Sequence, residues 1–363
     1  KALTGSGTIR ANGGAGGAGS GSGGGGAGGR IALYYTTESS TSIQRQAYGG
    51  TGDPGPAGTV FSRSNATGES SLVLDNVNRN SACNTGLNGL QRFTATTIVL
   101  RRAAKLLVAA DQVCSARGGC ACDCRWTVAN GCPTDDSSCC WHCCCQSDQP
   151  LPGFVMQAER VRISESHSGI TCPGVLSIHA NESFTLSSSA IVQAANRLSI
   201  LSNSTIAISA SAAVNSPTVE MSAAKSITME QTPNVLQSVQ YATITAPTIH
   251  LGGSSSLVAT SSLNIMTSVL FSCGIGSSIA SPSAAVSINA LTSVSCSDDS
   301  ITFSVRSLTA SSGSSQFDLP AITAAESIDI SNLAGVIIIN AVIIAPTVTL
   351  QNINSVFVFA EIK

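Results

Sequence analysis

The sequence predicts an all-β chain, a parallel β-solenoid with about 21–22 residues per coil and a Cys-rich insertion. Three observations predict it. Short apolar–x–apolar strands recur through the C-terminal half. Each is followed by a second such strand eight positions later. The pair then repeats at a nearly constant step.

The pairs run in order. Leu176-Ser177-Ile178 precedes Phe184-Thr185-Leu186, and Leu198-Ser199-Ile200 precedes Ile206-Ala207-Ile208. Val219-Glu220-Met221 precedes Ile227-Thr228-Met229. Tyr241 precedes Ile249-His250-Leu251, and Leu263-Asn264-Ile265 precedes Phe271 and Cys273. Val286-Ser287-Ile288 precedes Val294-Ser295-Cys296, and Leu308 pairs more weakly with Phe317. Ile328-Asp329-Ile330 precedes Val336-Ile337-Ile338, and Val348-Thr349-Leu350 precedes Val356-Phe357-Val358. First strands begin at 176, 198, 219, 241, 263, 286, 308, 328 and 348, in steps of 20 to 23 residues. Val155 with Ile163 adds a coil upstream. Strands this short cannot bury an inward face alone. Stacking at about 4.8 Å per coil completes their hydrogen bonds and gives a rod about 40 Å long. Sandwich strands also alternate, but they do not keep a fixed offset of eight. The crossover rule for parallel strands favours a right-handed coil.

Composition agrees. Charged residues are 10% of the 363 and aromatics 4%, against about 25% charged in an ordinary soluble domain. The core therefore comes from Val, Ile, Leu and Ala in thin layers. Net charge is −2 with no basic run, which argues against nucleic acid. The most apolar stretch, Val336 to Ile344, is interrupted by Asn340 and is too short to span a membrane. The chain opens on Lys1, which fits a removed signal peptide or a piece of a longer chain.

Three regions follow: a Gly-rich N-terminal solenoid region at 1–110, a Cys-rich insertion at 111–150, and a regular Ser/Ala/Thr-rich solenoid at 151–363. In the first, Ile9 and Ile31 stand 22 apart and are expected on adjacent coils, with Val60 and Leu72 to Leu74 continuing the stack. Asn12 to Gly29 reads as an ordered arc between strands, because strands flank it on both sides. The segments Leu3 to Gly14 and Gly21 to Ala32, with Gly58-Thr59-Val60-Phe61 and Leu72 to Asn76, resemble the Gly-rich modules of large secreted β-helix-type surface proteins of microbes and protists. The resemblance covers about the first 80 residues. It implies a cell-surface structural or adhesive role and supplies no catalytic residue.

Cysteine usage points to an oxidising compartment. The insertion carries Cys114, Cys120, Cys122, Cys124, Cys132, Cys139, Cys140, Cys143, Cys144 and Cys145, around Trp141 and His142. No clean pair of CxxC knuckles is present, so disulfides are expected rather than a metal cluster. Cys83, Cys172, Cys273 and Cys296 complete the disulfide candidates. Cys273 and Cys296 each lie ten residues after their coil's first strand, within disulfide reach. Two buried thiols are the favoured reading there, because in-register parallel neighbours orient Cβ atoms poorly for a bond. Sequons at Asn65, Asn181 and Asn203 mark candidate N-glycans, the last two on one edge of the rod, one rung apart.

An enzyme needs convergent carboxylates or bases. The nearest candidates are Asp298, Asp299, Arg306 and Asp318, while His179 and His250 have no evident partner. An ice-binding face needs a repeated Thr array. The outward row Thr185, Ala207, Thr228, His250, Ser272 and Ser295 is small and polar but mixed. The sequence is therefore expected to encode an extracellular, non-enzymatic structural protein, a subunit of a self-assembling filament or surface appendage. Both ends read as β-structure without a polar cap. The expected partners are further copies stacked head to tail, or neighbouring solenoid modules, with N-linked glycans on the surface. No cofactor, catalytic residue or metal site is expected. A surface adhesin, with the solenoid as stalk and the Cys block as binding head, is the alternative.

Overall fold

The computed structural model describes residues 1–17, 23–39, 43–88, 92–109, 153–232, 235–237, 239–290, 292–296, 300–312, 316–339 and 343–358. Among them there is no helix, and parallel strands stack as a β-solenoid.

Each regular coil has three faces. On the first, Phe93, Met156, Ile178, Ile200, Met221, Ile244, Ile265, Ile288, Ala310, Ile330 and Leu350 stand in one parallel register. On the second, Ile98, Val161, Phe184, Ile206, Ile227, Ile249, Phe271 and Val294 do the same. These are the two strand families the spacing predicts. Alternation sends their apolar residues inward, coil upon coil. They meet in one continuous core whose largest fully buried side chains include Phe154, Phe184, Phe271 and Phe303.

The third face has no counterpart in the sequence reading. Leu106, Ile170, Val192, Val214 and Leu236 form its inward row. Its strands are short, as in Ile191–Ala194 and Leu236–Gln237, and often carry only one large buried residue each. An isolated Val or Leu among Ser and Ala leaves almost no periodic signal.

The corner between the second and third faces explains how so short a coil closes. Ser188, Ser189, Ala210, Ser211, Gln231 and Ser254 take positive φ there, between 52° and 63°. Such backbone is costly for L-residues. Stacking offsets the cost by linking corner to corner: Ser189 N–H donates to Ala210 O at 2.8 Å, Ser211 to Gln231 at 2.8 Å and Gln231 to Gly253 at 2.9 Å. Just inside, fully buried Ser255 donates to Met229 O at 2.9 Å, and Thr232 donates to the Ser255 hydroxyl at 3.1 Å. Small hydroxyls thus satisfy corner carbonyls that a larger apolar residue would leave unpaired.

Two register expectations shift by one residue. Tyr241 was expected inward; Ala242 takes the core place and Tyr241 is 53% exposed. The ring lies outside because the thin core at that rung has room for a methyl group. Likewise Phe154 and Met156, not Val155, face inward above Leu176 and Ile178. A one-residue slip reverses every side chain of a strand, and burying Phe and Met removes more apolar surface than burying Val.

The N-terminal region is built differently. Two stacked layers each run out and back. The outgoing strands Gly7–Arg10 and Ile43–Gln46 pair in parallel, as do the returning strands Arg30–Tyr35 and Thr59–Ser64. Ile9 therefore faces Arg45, and Ile31 faces Val60. The adjacent-coil pairing of Ile9 with Ile31 does not form, because both lie in the same layer.

Between these strands the Gly-rich segments are ordered. Gly25 and Gly28 donate to Asp53 and Pro56 of one neighbour, while Gly26 and Gly29 donate to Gly14 and Ala11 of another. A neighbour that returns every third residue has the periodicity of a three-residue-per-turn extended helix, not of a β-strand. Close approach requires glycine. A Cβ on Gly50 would lie 1.9 Å from Gly14 O, and one on Gly58 would lie 1.9 Å from Gly29 O.

An antiparallel hairpin, Thr59–Ser64 with Ser70–Asp75, joins the layers to the first solenoid coil. Fully buried Asn76 locks the junction. Its Oδ1 accepts from Gly49 N–H at 2.8 Å, and its Nδ2 donates to Gly55 O at 3.1 Å and Arg79 O at 2.6 Å.

Candidate functional surfaces

The flanks carry small polar residues in straight rows. On the second face Thr185, Ala207, Thr228, His250, Ser272 and Ser295 align as the spacing predicts. His250 Nδ1 lies 2.8 Å from Ser272 Oγ on the next rung. Flank charges pair between neighbouring coils: Arg160 with Glu182, Arg197 with Glu220 at 2.6 Å, and Arg306 with Glu326 at 3.6 Å. These pairs are exposed and screened by solvent, so they add little to stability. Hydrogen bonding to Arg160 holds the Glu182 carboxyl below its usual range.

Among the described residues, those weighed for an enzyme stand on different faces and corners. Arg306 sits at the corner between the third and first faces, bound to Glu326. Asp318 extends the outward row of the second face beyond Ser295. His179 stands on the first face and His250 on the second. Asp298 and Asp299 lie outside the described residues.

The sequons fall on exposed turns and corners. Asn65 is at the tip of the connecting hairpin. Asn181 and Asn203 directly follow the register partners Ala180 and Ser202, so they share one corner on adjacent rungs, and both are exposed.

The cysteines divide three ways. Cys273 and Cys296 form a disulfide between adjacent coils with Cα atoms 4.7 Å apart, against the expectation of two thiols. Cys273 ends the strand Leu270–Cys273 and Cys296 directly follows Ser293–Ser295, where the chain turns into the corner. They are thus freed from the parallel orientation that disfavours a bond mid-strand. Cys172, grouped with the disulfide candidates, is instead a free buried thiol. It lies on the inner side of the third face beside Ala194 of the next coil, its Sγ 3.5 Å from Val175 O. Burial raises its pKa, so it packs as a small apolar group. Cys83 is disulfide-bonded. Cys114, Cys120, Cys122, Cys124, Cys132, Cys139, Cys140, Cys143, Cys144 and Cys145 lie outside the described residues, in a segment joining Lys105–Ala109 to Phe154–Ile163. Replacing both Cys273 and Cys296 by alanine is expected to lower stability by about 3 kcal/mol, the chain-entropy value for a loop of this length. Urea unfolding reads it as a lower midpoint, with a slope that rises as the opened unfolded chain exposes more surface.

The two ends of the stack differ. The strand Thr347–Val358 pairs with Ala321–Ile339 on one edge, and its other edge has no partner among the described residues. Its inward Leu350 is 38% exposed, whereas the register partner Ile330 is 1% exposed. At the opposite end lie the Gly-rich layers, whose outermost strands Gly7–Arg10 and Arg30–Tyr35 also pair on one side only among the described residues. Charge is divided between the two regions. Residues 1–109 hold ten Lys and Arg against four Asp and Glu, and residues 153–363 hold six against eleven.

These features define a β-solenoid protein whose described residues run from Gly-rich layers to a strand, Thr347–Val358, that pairs on one edge among the described residues. Compared with protein-family models, curated proteins and solved structures, the chain matches none.

Proposed function

We propose that this is an extracellular, non-enzymatic structural protein, a subunit of a self-assembling filament or cell-surface appendage whose rods stack head to tail. The uncovered edge and core residues of Thr347–Val358 carry this reading. A free strand edge is a template for another strand, and a rung laid on Leu350 and Val348 buries apolar surface that is wet in the single rod. The two ends are unlike surfaces, so their contact is heterologous and builds an open filament. Electron microscopy of the purified protein tests it. The expected result is filaments that lengthen with concentration and are lost in Leu350→Lys, which sets a charge in the contact. Single rods at every concentration overturn it.

The adhesin alternative draws on one observation. Residues 110–152 interrupt a coil at the corner between the third and first faces, yet register is kept on both sides, with Phe93 against Met156 and Leu106 against Ile170. Flanking strands that keep register across this segment suit a stalk that carries a lateral binding head.

A further inference from the structure

A groove of about 230 Å³ opens where the Gly-rich layers meet the solenoid. One wall comes from Ile43–Gln46 and the residues just after it, the other from the hairpin Thr59–Ser64 and Ser70–Asp75. The volume is below the ~300–1,000 Å³ of clefts that take drug-sized ligands, so the groove suits a single small unit.

Its lining has two chemistries. Val60 and Val73, opposed across the hairpin, make an apolar strip, and Ser62 and Ser71, the next opposed pair, set two hydroxyls beside it. Arg45 and Arg101 supply the charge. Arg45 pairs with Glu38 through Nη2, and its buried Nε has no hydrogen-bond partner. Arg101 donates to Asp75 through Nε at 3.0 Å. Asp75 does not cancel the positive charge, because Arg102 also holds it, with its own Nε at 2.7 Å. With Glu38 counted against Arg45, three guanidinium groups stand against two carboxylates, and the groove keeps a net positive charge. The pKa of Arg102 is raised by its hydrogen bond to Asp75. Its guanidinium also lies 5.9 Å from the Tyr48 ring centroid, which fixes a groove wall.

An apolar strip, adjacent hydroxyls and guanidinium donors together match one face and one edge of an acidic sugar. We propose that this groove binds a single uronic-acid unit of an acidic glycan, with its carboxylate at Arg45 and Arg101 and its C–H face on Val60 and Val73. The guanidinium fork matches the two oxygens of a carboxylate. The choice of a glycan rests on the extracellular reading above, whereas the groove's preference for a carboxylate sugar does not.

The test is calorimetric titration of the whole protein with tetragalacturonate, with maltotetraose as the neutral control and a sulfated, carboxylate-free galactan oligosaccharide as the second anion. Tetragalacturonate is expected to bind, more weakly as salt rises, and at least tenfold more tightly than either control. Arg101→Ala is expected to lose at least tenfold. Because Arg101 also holds Asp75, Ser71→Phe serves as a second variant. It fills the groove without touching the ion network and is expected to abolish binding while the thermal midpoint holds. Equal affinity for tetragalacturonate and maltotetraose, preference for the sulfated oligosaccharide, no binding, or full binding by Ser71→Phe each overturns the proposal. Filament formation is scored separately in the same samples, so loss of one reading is distinguishable from loss of the other.

Discussion

Gly50→Val is expected to unfold the Gly-rich layers while leaving the regular solenoid intact. A Cβ at this position falls 1.9 Å from Gly14 O and 2.9 Å from Gly26 N, both backbone atoms. No side chain can turn aside to relieve the overlap, so the segments must separate. That breaks the bond from Gly50 N–H to Gly26 O, now 2.8 Å. Overpacking typically costs about 1–3 kcal/mol; with the lost bond and an immovable neighbour, about 3 kcal/mol or more is expected here. Gly14→Ala is the matched control, because a Cβ there meets nothing within 4 Å. It is expected to stay within about 0.5 kcal/mol of the parent. Hydrogen exchange distinguishes the outcomes. Fast exchange at the Gly25, Gly26 and Gly28 amides in Gly50→Val, with Gly14→Ala unchanged, is the expected result. Equal protection in both variants would show that the layers are not packed through these glycines.

Asn76→Ala is expected to uncouple the Gly-rich layers from the solenoid, at a cost of about 4 kcal/mol. One side chain bridges three backbone groups: Gly49 N–H, Gly55 O and Arg79 O. Alanine leaves all three without this partner in a buried place, and each unsatisfied group costs about 1–3 kcal/mol. Asn76→Asp is the graded variant, since it keeps an acceptor for Gly49 N–H and loses the donor. Stacked coils contact only their neighbours, so the damage should stay local. Amides in residues 43–64 are expected to lose protection while those in Val175–Leu186 and Thr205–Ser209 keep it. Uniform loss along the rod would mean that the junction nucleates the whole stack.

The comparison of sequence with structure turns on individual residues. Leu176, Leu198, Val219 and Leu263 were legible as core because each recurs at a coil's length and repeats its partner's offset. Ile170, Val192 and Val214 were not, because each stands almost alone in its strand. The corner of Ser188, Ser189, Ala210 and Ser211 was equally silent. Serine and alanine are not residues that announce positive φ; they adopt it because the coil above and below binds their backbone. For the surfaces, the aligned row from Thr185 to Ser295 and the shared edge of Asn181 and Asn203 were readable from spacing. The groove at Arg45 and Arg101 was not, since it joins residues from separate layers that no repeat connects.

By itself the sequence determined the parallel coil, its length of about 22 residues and the inward rows of two faces. Those follow from alternation and periodicity, which are local properties of a strand. The third face, the one-residue placement of Ala242 over Tyr241, the Cys273–Cys296 bond and the layered packing of the glycines arise from contacts between coils and layers. Each of these depends on how much room, and which backbone partner, a neighbouring coil or layer provides, and that information is distributed over segments far apart in the chain.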